Sequence, residues 1–362
     1  MTRRVDQWVP ALHRGDAIGD STLLMRDALR SWGYVSDIYT YNHDPGLSAV
    51  IFDQWREGTS SDVVIFHYPM GSPMNDAFAR LASIRVLLYH NITPPHFFGP
   101  WDKEIHKILS QGLKGLDALA SVATLGLGDS EFNRAELERR GFGPTAVLPI
   151  AIDFERYRGP GNATLRKRYA DARTNILFVG RIAPNKRHDN LLRVLAYYKK
   201  NISSAVRLLA VGKLPRRETG HGITVESHYL DALTRLYSEL GLEPRDVVFT
   251  GEITHDELLA YYEASHVFVS MSEHEGFGVP LVEAMLKRLP IIACRGTAVS
   301  ETLGDAGLQF DGPDIAEIAE GAALLSKPGP AREAVLAGQD RRVSDFATDK
   351  TLARLRALVE GL

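Results

Sequence analysis

Ser270-Met271-Ser272-Glu273-His274-Glu275-Gly276-Phe277-Gly278-Val279-Pro280-Leu281-Val282-Glu283-Ala284-Met285 decides the fold class. The apolar run Val267–Met271 reads as a strand, and Val279–Arg288 resumes at helical spacing. Between them, Gly276 and Gly278 let the backbone turn sharply and approach a ligand. Pro280 suits a first helical turn, where its missing N–H costs nothing. Strand, glycine turn and helix in this order form the repeating unit of a parallel sheet covered by helices. The helix start leaves backbone N–H groups without intrahelical partners, and its dipole favours an anion, so a diphosphate is a natural guest. Glu275 in the loop and Glu283 inside the helix bracket that position, and each carboxylate can accept hydrogen bonds from vicinal hydroxyls.

Working outward, the same alternation fills the chain. Strands are expected at Asn175–Ile182, Val206–Val211, Val247–Thr250 and Pro290–Cys294, with helices at Asp189–Lys200, Tyr229–Leu240 and Thr254–Glu263. In the first half, Val35–Tyr41, Asp62–Pro69, Arg85–Asn91 and Ala146–Ile150 read as strands. Leu23, Leu24, Ala28, Leu29 and Trp32 mark a helix that stops at Gly33. Asp129 or Ser130 caps another that runs to about Arg140, with Gly141 as its stop. Asp153–Asn162, with Gly159-Pro160-Gly161 and no apolar period, reads as a linker. The expected division is a Rossmann-like domain over 1–160, a second over 161–345, and a C-terminal helix in 346–362. Leu352, Leu355 and Leu358 give that helix an apolar face with which to cross back to the first domain. Two doubly wound α/β domains facing each other would enclose a central cleft.

Composition narrows the function. With 362 residues, 44% hydrophobic, 24% charged and a net charge of -3, the chain fits a globular protein, and it lacks the Lys/Arg excess that binds nucleic-acid backbones. The one cysteine, Cys294, precludes an intramolecular disulfide and reads as a small core residue. The N-terminus meets Asp6 before any apolar stretch, so it does not read as a secretory signal, and the cytoplasm is the expected compartment. Lys103, Lys107 and Lys114 on the 103–119 helix leave room for peripheral contact with the inner membrane face. A packed helix with solvated lysines is the plainer account.

A second segment complements the first. Phe178-Val179-Gly180-Arg181-Ile182-Ala183-Pro184-Asn185-Lys186-Arg187 follows a strand, and Arg181 and Lys186 are fixed cations of the kind a leaving diphosphate needs. Together, Glu275-x7-Glu283 around Gly-Phe-Gly and Gly180-Arg181-x4-Lys186 resemble the signature of GT-B retaining glycosyltransferases of family 4, also called group 1. The resemblance extends from near residue 15 to the C-terminal helix and is specific in the second half. It implies that Arg181, Lys186, Gly276, Phe277 and Gly278 hold the donor diphosphate. Glu283 would hold the ribose, and Glu275 and His90 the sugar at the reacting centre.

In the first half, Gly15, Asp16 and Gly19 resemble the family's donor-facing loop. His90, at the end of a strong strand, is expected to face the cleft, with His67 as a weaker competitor. The segment Arg295–Glu301 departs from the family's commonest turn. The implied protein is a metal-independent retaining hexosyltransferase with no cofactor. Its co-substrate would be a nucleotide sugar, GDP-mannose or a UDP-sugar, and its acceptor a saccharide or lipid-linked saccharide in surface polysaccharide or glycolipid synthesis. The alternatives are a non-catalytic nucleotide-sugar-binding subunit and a GT-B epimerase or phosphorylase.

Overall fold

A computed structural model describes residues 3–362 except 216, 220–221 and 225–226. The chain divides into two compact units. One comprises 1–95, 104–154 and 345–362; the other comprises 96–103 and 155–344. The boundary therefore falls near 154 rather than 160, and the 96–103 segment packs within the second unit.

The second unit holds a parallel six-stranded sheet in the order Val247–Phe249, Val206–Val211, Thr174–Val179, Val267–Ser270, Ile291–Cys294, Leu308–Phe310. Numbered along the chain, this is 3-2-1-4-5-6, the doubly wound order. Side chains alternate between two apolar layers. Ile176, Phe178, Leu208, Ala210, Val267, Val269 and Cys294 lie in one, and Leu177, Leu209, Phe268, Ile291 and Ala293 in the other. Helices cover both faces, so these strands read as continuous apolar runs. Cys294 is buried in the core.

The first unit repeats the order in seven parallel strands: Val50–Ile51, Ile38–Thr40, Val5–Trp8, Val63–Tyr68, Ile84–Tyr89, Leu125–Gly128, Thr145–Val147. Two central strands had escaped the sequence pattern. Val5–Trp8 carries Asp6 and Gln7, which are buried at 2% and 0% exposure on polar partners rather than on an apolar face. Leu125–Gly128 is half glycine, and the glycines have steric work. A Cβ on Gly128 would sit 2.4 Å from the Arg134 nitrogen, so its absence admits the helix Glu131–Arg139 against the strand. Ser130 rather than Asp129 caps that helix, its Oγ accepting from Asn133 N at 3.2 Å. The first helix, Ala17–Ser31, buries Gly19, Ser21, Thr22, Met25, Arg26 and Leu29; the expected stripe through Leu23 and Leu24 is only half-buried. The strand expected over Val35–Tyr41 is limited to Ile38–Thr40, and the edge strands Val50–Ile51 and Leu308–Phe310 and the helices Ile315–Leu325 and Pro330–Arg342 add to the pattern.

The last helix, Thr348–Glu360, packs in the first unit. Leu355 and Val359 join Val5, Met25, Leu29 and Ile65 in one cluster, and Val359 O accepts from Arg3 Nη1 at 3.1 Å. Leu355→Ala leaves a cavity where a 1%-exposed side chain stood. It should cost about 2–5 kcal/mol, read as a lowered urea midpoint with an unchanged m-value.

Candidate active site

In a sheet of order 3-2-1-4-5-6, the neighbouring strands 1 and 4 send their connections in opposite directions, and ligands bind outside their carboxyl ends. In the second unit these are Thr174–Val179 and Val267–Ser270, paired through Ile176–Val267 and Leu177–Phe268. The loops that leave them are the two segments singled out in the sequence.

The buried amide of Asn185 stitches the loops together. Its Nδ2 donates to His274 O at 3.1 Å, and the Asn185 main-chain carbonyl accepts from Glu273 N at 2.9 Å. Ion pairs flank this stitch. Lys186 Nζ lies 2.5 Å from Glu275 Oε1, with both side chains 17% exposed. Arg187, in the left-handed region at φ 53°, pairs with Glu273 and makes a two-pronged contact to Asp189 at 3.0 and 2.8 Å. The expected diphosphate cation and sugar-binding carboxylate are thus direct partners. Arg181 is exposed, and its side chain has no partner among the described residues. Burial pushes the pKa of His274 down to about 4, with Glu275 opposing and Lys186 and His96 adding to the effect.

Gly278, at φ 88°, precedes the helix Val279–Leu286, whose start no side chain caps. Phe277 is buried, and its carbonyl accepts from Thr302 Oγ1 at 2.6 Å. The segment whose sequence departs from the commonest turn grips the site. Thr297 Oγ1 accepts from Glu275 N at 3.0 Å, and Ala298 N donates to Glu275 O at 3.3 Å. Thr297 does this from a positive φ of 46°, which no apolar pattern or charge spacing announces.

Glu283 is buried, and its two oxygens accept from Tyr157 Oη at 2.5 Å and Tyr262 Oη at 2.7 Å. Burial raises its pKa, and the two phenols lower it in part. Both tyrosines were missed in the sequence. Tyr157 sits in the stretch read as a linker, and Tyr262 falls inside the expected helix Thr254–Glu263.

In the first unit both singled-out histidines lie in the interior. Side chains two apart share a sheet face, so His67 follows Val63 and Ile65, and His90 follows Val86 and Leu88, onto the inner face. Both are buried, at 0% and 8% exposure. They join a polar chain in which Gln7 Oε1 meets His67 Nε2 at 3.0 Å, His67 Nδ1 meets His90 Nε2 at 2.9 Å, and His90 Nδ1 meets Asp129 Oδ2 at 3.0 Å. Its polarity is fixed at one end. Gln7 Nε2 donates to the Thr22 carbonyl at 3.1 Å, so Oε1 faces His67 and His67 Nε2 carries the proton. A neutral His67 then accepts at Nδ1 from His90 Nε2–H, and one proton lies between His90 and Asp129. Burial, then His90, pushes the His67 pKa well below its usual value; burial raises Asp129, with His90 opposing. Both ring nitrogens of His90 are thus engaged within the unit, its side chain 1% exposed, and His67 is likewise interior.

Gly15 has φ 73°, and Asp16 caps the first helix by accepting from Gly19 N at 3.2 Å. A Cβ on Gly19 would fall 2.2 Å from His13 O. This loop has a local structural reason for each of its small residues.

Against known proteins, residues 166–337 match the family model described as "Glycosyl transferases group 1", so the second unit carries that family's domain. The chain is 28% identical over 236 residues to the Mycobacterium tuberculosis GDP-mannose-dependent alpha-(1-6)-phosphatidylinositol monomannoside mannosyltransferase, covering 61% of this chain and 57% of that one. It is 34% identical over 212 residues to D-inositol 3-phosphate glycosyltransferase of Rhodococcus jostii, covering 57% and 44%. The matches thus span about half the length of these relatives. The sucrose-phosphate synthase of Thermosynechococcus elongatus superposes with a TM-score of 0.75 at 19% identity, over 99% of this chain and 98% of that one. That likeness shows the fold: two parallel-sheet α/β domains of the GT-B type.

Two consequences are measurable. His67→Ala and His90→Ala should each destabilise the protein, and their double-mutant cycle should show a coupling of about 1–3 kcal/mol in urea titrations, since each removes the other's partner. The second concerns Glu283, whose raised pKa means that folding disfavours its ionised form. The stability this group contributes is full below its unfolded pKa and is lost as pH rises through the folded value. Glu283→Gln should therefore be at least as stable as wild type at pH 7. Its advantage should shrink towards pH 4, as followed by thermal melts across pH.

Proposed function

We propose, from a second unit that carries the group 1 glycosyl transferase domain, that this protein is a retaining glycosyltransferase that acts without a metal ion. It would move a hexosyl unit from a nucleoside-diphosphate sugar to a saccharide or lipid-linked acceptor in polysaccharide or glycolipid synthesis. The observation that carries this reading is the pairing of Lys186 with Glu275 beside the uncapped start of the Val279–Leu286 helix, at the carboxyl ends of strands 1 and 4.

The chemistry follows from charge. Transfer breaks the bond between the anomeric carbon and the diphosphate oxygen and leaves its electron pair on the diphosphate. The acceptor oxygen bonds to the same face of that carbon, and its proton passes to the leaving oxygen. Lys186, Arg181 and the helix start stabilise the developing phosphate charge. Once Lys186 turns to phosphate, Glu275 is released to accept from sugar hydroxyls, held in place by Thr297 and Ala298. Glu283 keeps buried Tyr262 as its partner and exchanges the half-buried Tyr157 hydroxyl for a ribose hydroxyl. No histidine is assigned a contact with the sugar.

The mannosyltransferase relative's name supports GDP-mannose as the first donor to test, with UDP-sugars beside it. Ile105 and Ile108 are exposed between Lys103, Lys107 and Lys114, which supports a peripheral contact with the cytoplasmic membrane face.

The test is transfer from GDP-mannose and UDP-sugars to lipid-linked and free saccharides, in excess EDTA, with the anomeric configuration of the product read by NMR. A product of retained configuration is expected, at a rate the chelator leaves intact. Lys186→Ala should cut turnover by about 10²–10³-fold. Transfer at the wild-type rate by that variant would remove the diphosphate assignment, and an inverted product would remove the retaining mechanism.

A further inference from the structure

Beside the two loops lies a cavity that the reading above leaves unused. It has a volume of about 540 Å³ and opens between the helices His188–Asn201 and His228–Glu239, closed on another side by His96, Phe97 and Trp101. The volume falls within the range of about 300–1,000 Å³ common to small-molecule sites.

The wall it shares with the candidate donor site is the pair of stitched loops. Lys186 and Glu275 face each other across these loops, and their neighbours Arg187 and Glu273 line the cavity. Phe97 spans the two regions, its ring centroid 6.2 Å from that of His274. A molecule in this cavity would stand next to the group that holds the donor sugar, where an acceptor belongs.

The lining specifies what would bind. Trp101 meets Tyr229 edge to face at 5.2 Å between centroids, and with Phe97 these rings offer apolar walls to the C–H faces of a sugar. Arg187 is paired with both Asp189 and Glu273, one guanidinium against two carboxylates. Arg193 and Arg235 are different: both are exposed, both line the cavity, and neither has a side-chain partner among the described residues. Asp189, one helical turn from Arg193, is turned to Arg187 instead. Glu239, the remaining carboxylate, makes no ion pair with Arg235 among the described residues, so although the lining holds three guanidiniums and three carboxylates, those of Arg193 and Arg235 are left for a ligand. Guanidinium forks match phosphate and carboxylate oxygens.

We infer that this cavity is an acceptor subsite for an anionic saccharide, with the sugar ring against Phe97 and Trp101 and its phosphate or carboxylate met by Arg193 and Arg235. The acceptor role rests on the glycosyltransferase reading; the binding itself does not, and the test separates the two. The full chain is titrated calorimetrically with mannose 6-phosphate, glucuronic acid, mannose and inorganic phosphate, and separately with GDP and UDP. The wild type should bind mannose 6-phosphate or glucuronic acid at least about tenfold more tightly than mannose and than inorganic phosphate. Whichever of the two is preferred shows whether the anion is a phosphate or a carboxylate.

The double variant Arg193→Ala/Arg235→Ala changes two exposed side chains and should keep its melting temperature and nucleotide affinity. It should lose about tenfold or more in affinity for the anionic sugar. Undiminished binding by that variant, no preference for the anionic sugar over mannose, or inorganic phosphate binding as tightly as the sugar phosphate would each overturn the inference. Anionic-sugar binding that depends on both arginines in a protein that binds neither GDP nor UDP would sink the glycosyltransferase reading and with it the acceptor role, leaving the saccharide site in place.

Discussion

The pairing of Thr174–Val179 with Val267–Ser270 is the constraint on which the rest of the second unit depends. Parallel strands cannot be joined by a tight turn, so each needs a crossover, and the crossovers leave these neighbours in opposite directions. The sheet thereby brings Lys186 and Glu275, 89 residues apart, to one place at its carboxyl edge. Local propensity does not produce that contact. It follows from a register in which Ile176 meets Val267 and Leu177 meets Phe268.

The backbone groups of the loops are met by hydrogen bonds from side chains and from neighbouring backbone. Asn185 donates to the carbonyl of His274, and Thr297 and Ala298 hold Glu275 from two sides. These contacts fix where the charged ends of Lys186 and Glu275 lie, which is what electrostatic stabilisation of a transferring group requires. The ion pair itself is largely buried, so the cost of desolvating both charges offsets much of their attraction. Its consequence is chemical: each charge is held by a partner that a phosphate or a sugar hydroxyl can replace.

The first unit uses the same sheet order for a different end. Its carboxyl edge is closed by the buried chain Gln7–His67–His90–Asp129. A buried polar group without a partner loses its hydration for nothing, so the chain's hydrogen bonds offset that cost for each ring nitrogen, while Asp129 Oδ1 stays buried without a hydrogen-bond partner among the described residues. The carbonyl of Thr22 sets the direction of the hydrogen bonds from His67 to Gln7 and, for a neutral His67, from His90 to His67. The two histidines are therefore tied to the unit's architecture.

Much was legible in the residues alone. Apolar runs set the central strands of the second unit, and Val206–Val211 has the bounds its valines and leucines imply. The Glu-x7-Glu and Gly-Arg-x4-Lys spacings located the two loops, because glycine turns and charged strand ends have local causes. What the tertiary structure decided is partnership. That Lys186 faces Glu275, that Tyr157 and Tyr262 share Glu283, and that His90 turns inward to His67 and Asp129 all depend on which strands lie side by side. Sequence spacing encodes the period of a strand or helix and the chemistry of each side chain. It does not encode which face of a strand meets which neighbour, because that is set by packing against residues far along the chain.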